Sequence, residues 1–254
     1  MRKKKRTGGI LVAVLAGALV LLCGCLVVAG LATMLWRTDR RVAWKWAWEQ
    51  TPGLAYETER IEKTFEVGSE PSLEVENFAG TVTIRAQEDN SIEVVATKRA
   101  PHAYDLDRIQ VEMEQQPGRL VIRTQNPDKL QNATAKLEIA APAGTRLVMR
   151  SGAGTVDVRG IQSSLQVWNG AGTVTIHDAA GQVVVRSGAG TIEYQGRPEG
   201  VCGFWTGAGT IVLRVPRDLE GQVDLSSSLG GVHSDFGVSG QVSTRSIRGG
   251  HRHP

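Results

Sequence analysis

The tetrapeptide Gly-Ala-Gly-Thr stands four times in this chain, at Gly152–Thr155, Gly170–Thr173, Gly188–Thr191 and Gly207–Thr210. Its second glycines, Gly154, Gly172, Gly190 and Gly209, follow one another at intervals of 18, 18 and 19. A degraded copy lies near Gly230, and an outlying one reads Asn77-Phe78-Ala79-Gly80-Thr81-Val82-Thr83-Ile84. A fixed short period constrains the fold more than any composition does, because each repeat must be one structural unit stacked on its neighbours.

Each unit reads strand, glycine turn, strand. Apolar residues alternate in Leu165-Gln166-Val167-Trp168-Asn169 and again in Thr173-Val174-Thr175-Ile176, the period of a strand with one face on a core. So short a unit, with two or three short strands, cannot bury its apolar face alone. Stacked at ~4.8 Å per rung it can, which predicts an all-β, single-stranded parallel β-solenoid with glycine at the sharp corners.

Stacking the units predicts every inward column. After the turn these are Val156, Val174, Ile192, Ile211 and Val158, Ile176, Tyr194, Leu213. Before it they are Leu147, Leu165, Val183, Cys202 and Met149, Val167, Val185, Phe204. All are apolar, as a dry core requires, and Cys202 reads as a small buried hydrophobe. At the corner the inward column turns polar, with Ser151, Asn169, Ser187 and Thr206, and needs hydrogen-bond partners in the turn or up the stack. The column Thr155, Thr173, Thr191, Thr210 points outward as a β-branched ladder.

Upstream, residues 62–145 are β-rich but less regular. Alternating strands are expected at Leu73–Asn77, Ile92–Ala96, Ile109–Met113, Leu120–Thr124 and Lys136–Ala140. The stretch from Gly80 to Gly154 has the length of about four coils, so this part is expected as wider coils or as a sheet packed on the solenoid. The repeats themselves occupy 146–236, and 237–254 reads as a flexible Arg- and His-bearing tail.

The first part of the chain has a different character. From Gly8 to Trp36 no residue is charged, long enough at 1.5 Å per residue to cross a ~30 Å hydrocarbon core. Arg2-Lys3-Lys4-Lys5-Arg6 precedes it, and the positive-inside rule puts residues 1–7 in the cytoplasm and everything after the 8–36 span outside. Arg37, Arg40 and Arg41 weaken that bias without reversing it. Two other readings are a cleaved signal peptide and, on Leu22-Cys23-Gly24-Cys25, lipidation of Cys25; both also place the remainder outside the cytoplasm. Trp36, Trp44, Trp46 and Trp48 lie in or beside the 37–61 linker, interleaved with Arg and Lys, as an interfacial belt. With Cys23 and Cys25 in the span and Cys202 far from it, no intramolecular disulfide framework is expected.

Charge then sorts by position. Residues 1–54 carry +7, 55–145 carry −6 and 146–254 carry +2, so the net +3 and the pI near 8.9 belong to the anchor. No basic patch on the folded part supports a nucleic-acid role.

The run Phe65-Glu66-Val67-Gly68, then Leu73 to Ile84, then the Gly-Ala-Gly-Thr-Val repeats resembles the bacterial "putative adhesin" domains, envelope proteins related to the head-GIN auto-transporter adhesin domains. The resemblance covers residues 62–245. It implies an extracytoplasmic β-helix with an adhesin-like role, and supplies no catalytic residue, cofactor or metal.

Three functional classes remain to be weighed on residues. A polysaccharide-active β-helix enzyme needs converging carboxylates, whereas Asp157 and Glu193 are expected two rungs apart with Thr175 between them. An ice-binding face needs Thr-x-Thr rows, which only Thr81-Val82-Thr83 and Thr173-Val174-Thr175 supply. A non-enzymatic binding module needs an exposed recognition surface. The outward column Arg150, Trp168, Arg186, Trp205 offers one, since indoles stack on sugar faces and guanidinium holds carboxylate or phosphate. The same column also reads as a cation–π ladder, each exposed contact worth ~0.5–1 kcal/mol. The expected function is a membrane-anchored adhesin-like module for cell-wall glycan or an envelope protein, and the alternative is envelope sensing through a membrane partner.

Overall fold

The computed structural model describes residues 56–216, 221–234, 242–243 and 246–251. The basic segment 1–7, the span 8–36, Cys25 and the tryptophan belt lie outside the described residues. Among the described residues no helix is long and apolar enough to cross a membrane.

The described chain is all-β apart from one short helical turn. Fifteen strands form one sheet system: β1 (Glu57–Glu66), β2 (Ser72–Asn77), β3 (Gly80–Gln87), β4 (Ser91–Ala100), β5 (Gln110–Gln116), β6 (Arg119–Gln125), β7 (Thr134–Pro142), β8 (Arg146–Arg159), β9 (Leu165–Gly181), β10 (Val183–Pro198), β11 (Val201–Arg214), β12 (Gly221–Leu229), β13 (Val232–Ser234), β14 (Val242–Ser243) and β15 (Ser246–His251). The helix α1 (Ala103–Leu106) follows β4.

Strands β8 to β11 pair parallel and in register, each with the one before it. Leu147 lies against Leu165, Leu165 against Val183, and Arg186 against Trp205. Alternation puts the expected columns inside: Met149, Val156, Val158, Val167, Val174, Ile176, Val185, Ile192, Tyr194, Phe204, Ile211 and Leu213 are all fully buried. They form one core with Leu73, Val75, Val82 and Ile84 from the β2–β3 segment. Tyr194 fits because its hydroxyl donates to Ala179 O at 2.9 Å, and its ring tilts against Phe204 at 5.1 Å.

The glycine step differs from a corner between separate strands. Ala153 pairs with Ala171 and Gly154 with Gly172, so each repeat is a single paired strand that bends without leaving the ladder. Inward parity shifts there, from Leu147, Met149 and Ser151 to Val156 and Val158. Both glycines are sterically required. A Cβ on Gly170 would stand 2.2 Å from Gly152 O, and one on Gly172 would stand 2.0 Å from Gly154 O. The second glycine of each repeat also has positive φ, +118° at Gly172 and +122° at Gly190. Carbonyl oxygens one rung below therefore occupy the space of any side chain.

The polar column at the bend is buried throughout, and its later members donate to backbone oxygens. Ser187 Oγ donates to Ala189 O at 3.3 Å, Thr206 Oγ1 to Gly190 O at 3.5 Å, and Ser227 Oγ to Gly209 O at 2.9 Å. Ser151 Oγ and both amide atoms of Asn169 make no hydrogen bond.

The region before the repeats is not four further coils. The outlying copy stacks directly on the first repeat, with Gly80 against Gly154 and Val82 against Val156, while β2 pairs with the first half of β8. The strands β6 and β7 form the next rung, β6 on β2 and β7 on β3. The remaining residues fold back antiparallel: β5 on β6, β4 on β7 and β1 on β4. Antiparallel strands cap the parallel edge, which explains why this stretch lacks the period of the repeats. At the opposite edge β15, within the expected tail, pairs antiparallel with β12.

Cys202 is buried, as its column predicts, receiving the Val183 N–H at 3.4 Å on Sγ. Burial pushes its thiol up, and pushes the Tyr194 phenol well above its ordinary range. Both groups hold their protons more tightly folded than unfolded. Their contribution to stability is complete below the ordinary thiol value of about 8.5, and declines as pH rises through it and then past the phenol value of about 10. We expect melting temperature to fall between about pH 8 and 10.5, with Cys202→Ala flattening the first part of that decline. A pH series of thermal melts on both chains measures it.

Candidate functional site

The outward residues of β8 to β11 just before the glycine bend stand directly over one another. Arg150 pairs with Trp168, Trp168 with Arg186, and Arg186 with Trp205. The strand period puts all four on the solvent face, the arginines exposed and the indoles half-buried. The four residues singled out from sequence are thus brought together.

Their contacts are pairwise. The Arg150 guanidinium sits 5.0 Å from the Trp168 ring centre, and Arg186 sits 5.0 Å from that of Trp205. Each arginine covers the indole of the next rung, so the column is two cation–π pairs.

The two pairs differ in charge balance. Arg150 also holds Glu74 at 2.9 Å and Glu76 at 3.5 Å, both from β2. Those carboxylates bind Arg119 and, at 3.3 Å, Arg123 from β6. This network closes one end of the face. Arg186 makes no ion pair among the described residues and keeps an uncompensated positive charge between Trp168 and Trp205.

One participant was not singled out from sequence. Gly203, two residues before Trp205 on the same face, has the indole laid over it: a Cβ there would stand 1.8 Å from the ring carbon Cη2. Gly203 leaves room for the ring to lie back along its own strand. The signal was present as a glycine at i−2 to an outward tryptophan, where β9 has Gln166 and β10 has Val184.

The second outward face carries the acids considered for hydrolysis. Asp157 and Glu193 both register with Thr175, from opposite sides. Arg159 grips Asp157 through Nε and Nη2 at 3.0 and 2.9 Å, and Arg214 pairs with Glu193. Beside this face a groove of about 710 Å³ runs along Gln162, Asp178, Gln195, Arg197 and Arg214. It forms where Asp178, at φ +52°, breaks the β9–β10 register.

No protein-family model matches the chain, and no curated protein sequence matches it. Solved structures similar to it include a "putative cell adhesion protein" from Clostridium sporogenes, 10% identical, covering 71% of this chain and 100% of that one at a TM-score of 0.45. A "putative adhesin" from Bacteroides fragilis is 16% identical over 69% of this chain and 97% of its own, at 0.32. Another from Parabacteroides merdae is 9% identical over 69% and 96%, at 0.21. All three are bacterial proteins named for adhesion. At such identities and scores no residue, ligand or partner is carried over from them.

Proposed function

We propose that this chain is a membrane-anchored, extracytoplasmic adhesin-like β-solenoid of the head-GIN-related kind, which binds an envelope glycan or protein through Arg150, Trp168, Arg186 and Trp205 and catalyses no reaction. The observation that carries the reading is the stacking of two indoles and two guanidiniums, rung by rung, on one exposed face. Such a surface offers apolar ring faces and charged donors without an induced rearrangement, because each residue is fixed by a paired strand on both sides. In-register pairing of successive repeats supports the solenoid reading. The ion pairs of Asp157 and Glu193 support a non-catalytic role, since each carboxylate is already committed to an arginine. The uncharged stretch from Gly8 to Trp36 after five basic residues supports the anchor.

Retention on isolated cell envelope tests the reading. Full-length chain with Trp168→Ala and Trp205→Ala together is expected to lose at least about tenfold in affinity, since stacked aromatic contacts are worth about 1 kcal/mol each. Unchanged retention by the double variant, with its melting temperature preserved, would sink the proposal.

A further inference from the structure

Resting on that reading, the geometry points to a narrower ligand: we infer that the face takes an extended β-1,4-linked glycan bearing a carboxylate on every second sugar, lying along the stack across the strands. Trp168 and Trp205 belong to β9 and β11, with β10 between them. At about 4.8 Å per strand the two indoles stand about 10 Å apart along the stack. That is close to one disaccharide of an extended β-1,4 chain. In such a chain successive sugars are turned over, so only alternate ones present the same face. Two indoles at that spacing therefore stack on sugars of one kind and leave the intervening sugar above β10.

What stands on β10 at that point is Arg186. It carries the one charge of the trio, makes no ion pair among the described residues, and reaches the Trp205 ring only at 5.0 Å. An exposed contact of that length is weak enough for a sugar face to displace, freeing the guanidinium for a carboxylate on the intervening sugar. A planar fork suits a carboxylate better than any neutral group. The floor supports the same pose. Gly203 lets Trp205 lie back, Val184 projects little, and exposed Gln166 stands beside Trp168 to meet hydroxyls.

Ion pairs at the β2 end of the face leave Arg186 as the arginine of the column without a carboxylate among the described residues. Toward β2 and β6, Glu74 and Glu76 are consumed by Arg119, Arg123 and Arg150, and Glu112 and Glu114 of β5 follow. At one charge per disaccharide successive carboxylates fall two strands apart, one over Arg186 and the next over Arg150, which already holds Glu74 and Glu76.

The test uses full-length chain in nanodiscs and three soluble glycans of equal length. These are peptide-free β-1,4 strands with a lactyl carboxylate on every second sugar, the same strands with that carboxylate amidated, and neutral chito-oligosaccharide. The acidic strand is expected to bind about tenfold tighter than the other two. Arg186→Met should erase that preference, while Trp168→Ala and Trp205→Ala should weaken all three glycans alike. Equal binding of acidic and amidated strands, still lost in the tryptophan variants, overturns the acidic inference and leaves the glycan-binding reading standing. Failure of every glycan while whole envelope is retained overturns it in favour of a protein ligand. Failure on glycans and envelope alike overturns both.

Discussion

Gly190→Ala is expected to destabilise the protein by at least about 3 kcal/mol. Two independent costs coincide at that position. Backbone φ is +122°, a region L-residues with a side chain avoid. A Cβ there would also stand 1.9 Å from Gly172 O, in a ladder that cannot retreat because Gly172 is paired with Gly154 on its other side. For a domain of this size each kcal/mol shifts melting by about 2–4 °C, so a drop of about 10 °C is expected. Ala189, one residue earlier, is exposed and pairs at the same bend. Ala189→Ser should change melting by less than about 2 °C, the usual range for a surface substitution. Thermal melts of the two variants side by side measure the difference; equal effects would mean that the glycine stack is not what fixes the rung spacing.

Phe204→Ala is the second large loss, about 3–5 kcal/mol. Phe204 is fully buried in the β11 rung, and its ring lies against Tyr194 of β10 at 5.1 Å. These are the two largest side chains in a core otherwise filled by aliphatic residues, so neighbours cannot collapse into the space they leave. Tyr194→Phe should cost less, about 1–2 kcal/mol, by leaving Ala179 O without its donor. Combining Tyr194→Ala with Phe204→Ala should cost less than the sum of the singles, because each removes the other's partner. Strict additivity in chemical denaturation would show that the rings do not share one packing unit.

Legibility of this fold tracked the regularity of its pairing. The repeats from Leu147 to Leu213 are readable because each rung follows the last at a nearly constant interval, and alternation then assigns Val156, Val174, Ile192 and Ile211 to one buried column. The same arithmetic does not reach upstream. Thr124 and Ala135 sit where a bend belongs, but residues 126–133 intervene in place of Gly-Ala-Gly, so β6 and β7 do not look like two halves of one rung. Ala135 O nevertheless lies 2.5 Å from where Gly80 would carry a Cβ, the same close stacking seen in the repeats. Of the site, Arg150, Trp168, Arg186 and Trp205 were readable because column and periodicity coincide. Neutralisation of Arg150 by Glu74 and Glu76 was not, since it depends on β2 lying beneath β8 with five other strands between them in the chain.

That same placement governs the order in which the chain can assemble during synthesis. β9 and β10 find their partners a single repeat upstream, already made when they emerge. β2 and β3 are among the earliest strands to appear, yet one edge of each waits for β8, and the other for β6 and β7. Until Arg159 has left the ribosome, that first glycine-bearing rung has no template beside it on the repeat side, while every later rung is templated from birth. The growing stack therefore has a slow first step and fast additions after it. Interruptions before β8 should leave β2 and β3 each with an unpaired edge, whereas truncations after β9 should leave that first rung paired on both sides and move the open edge to β9.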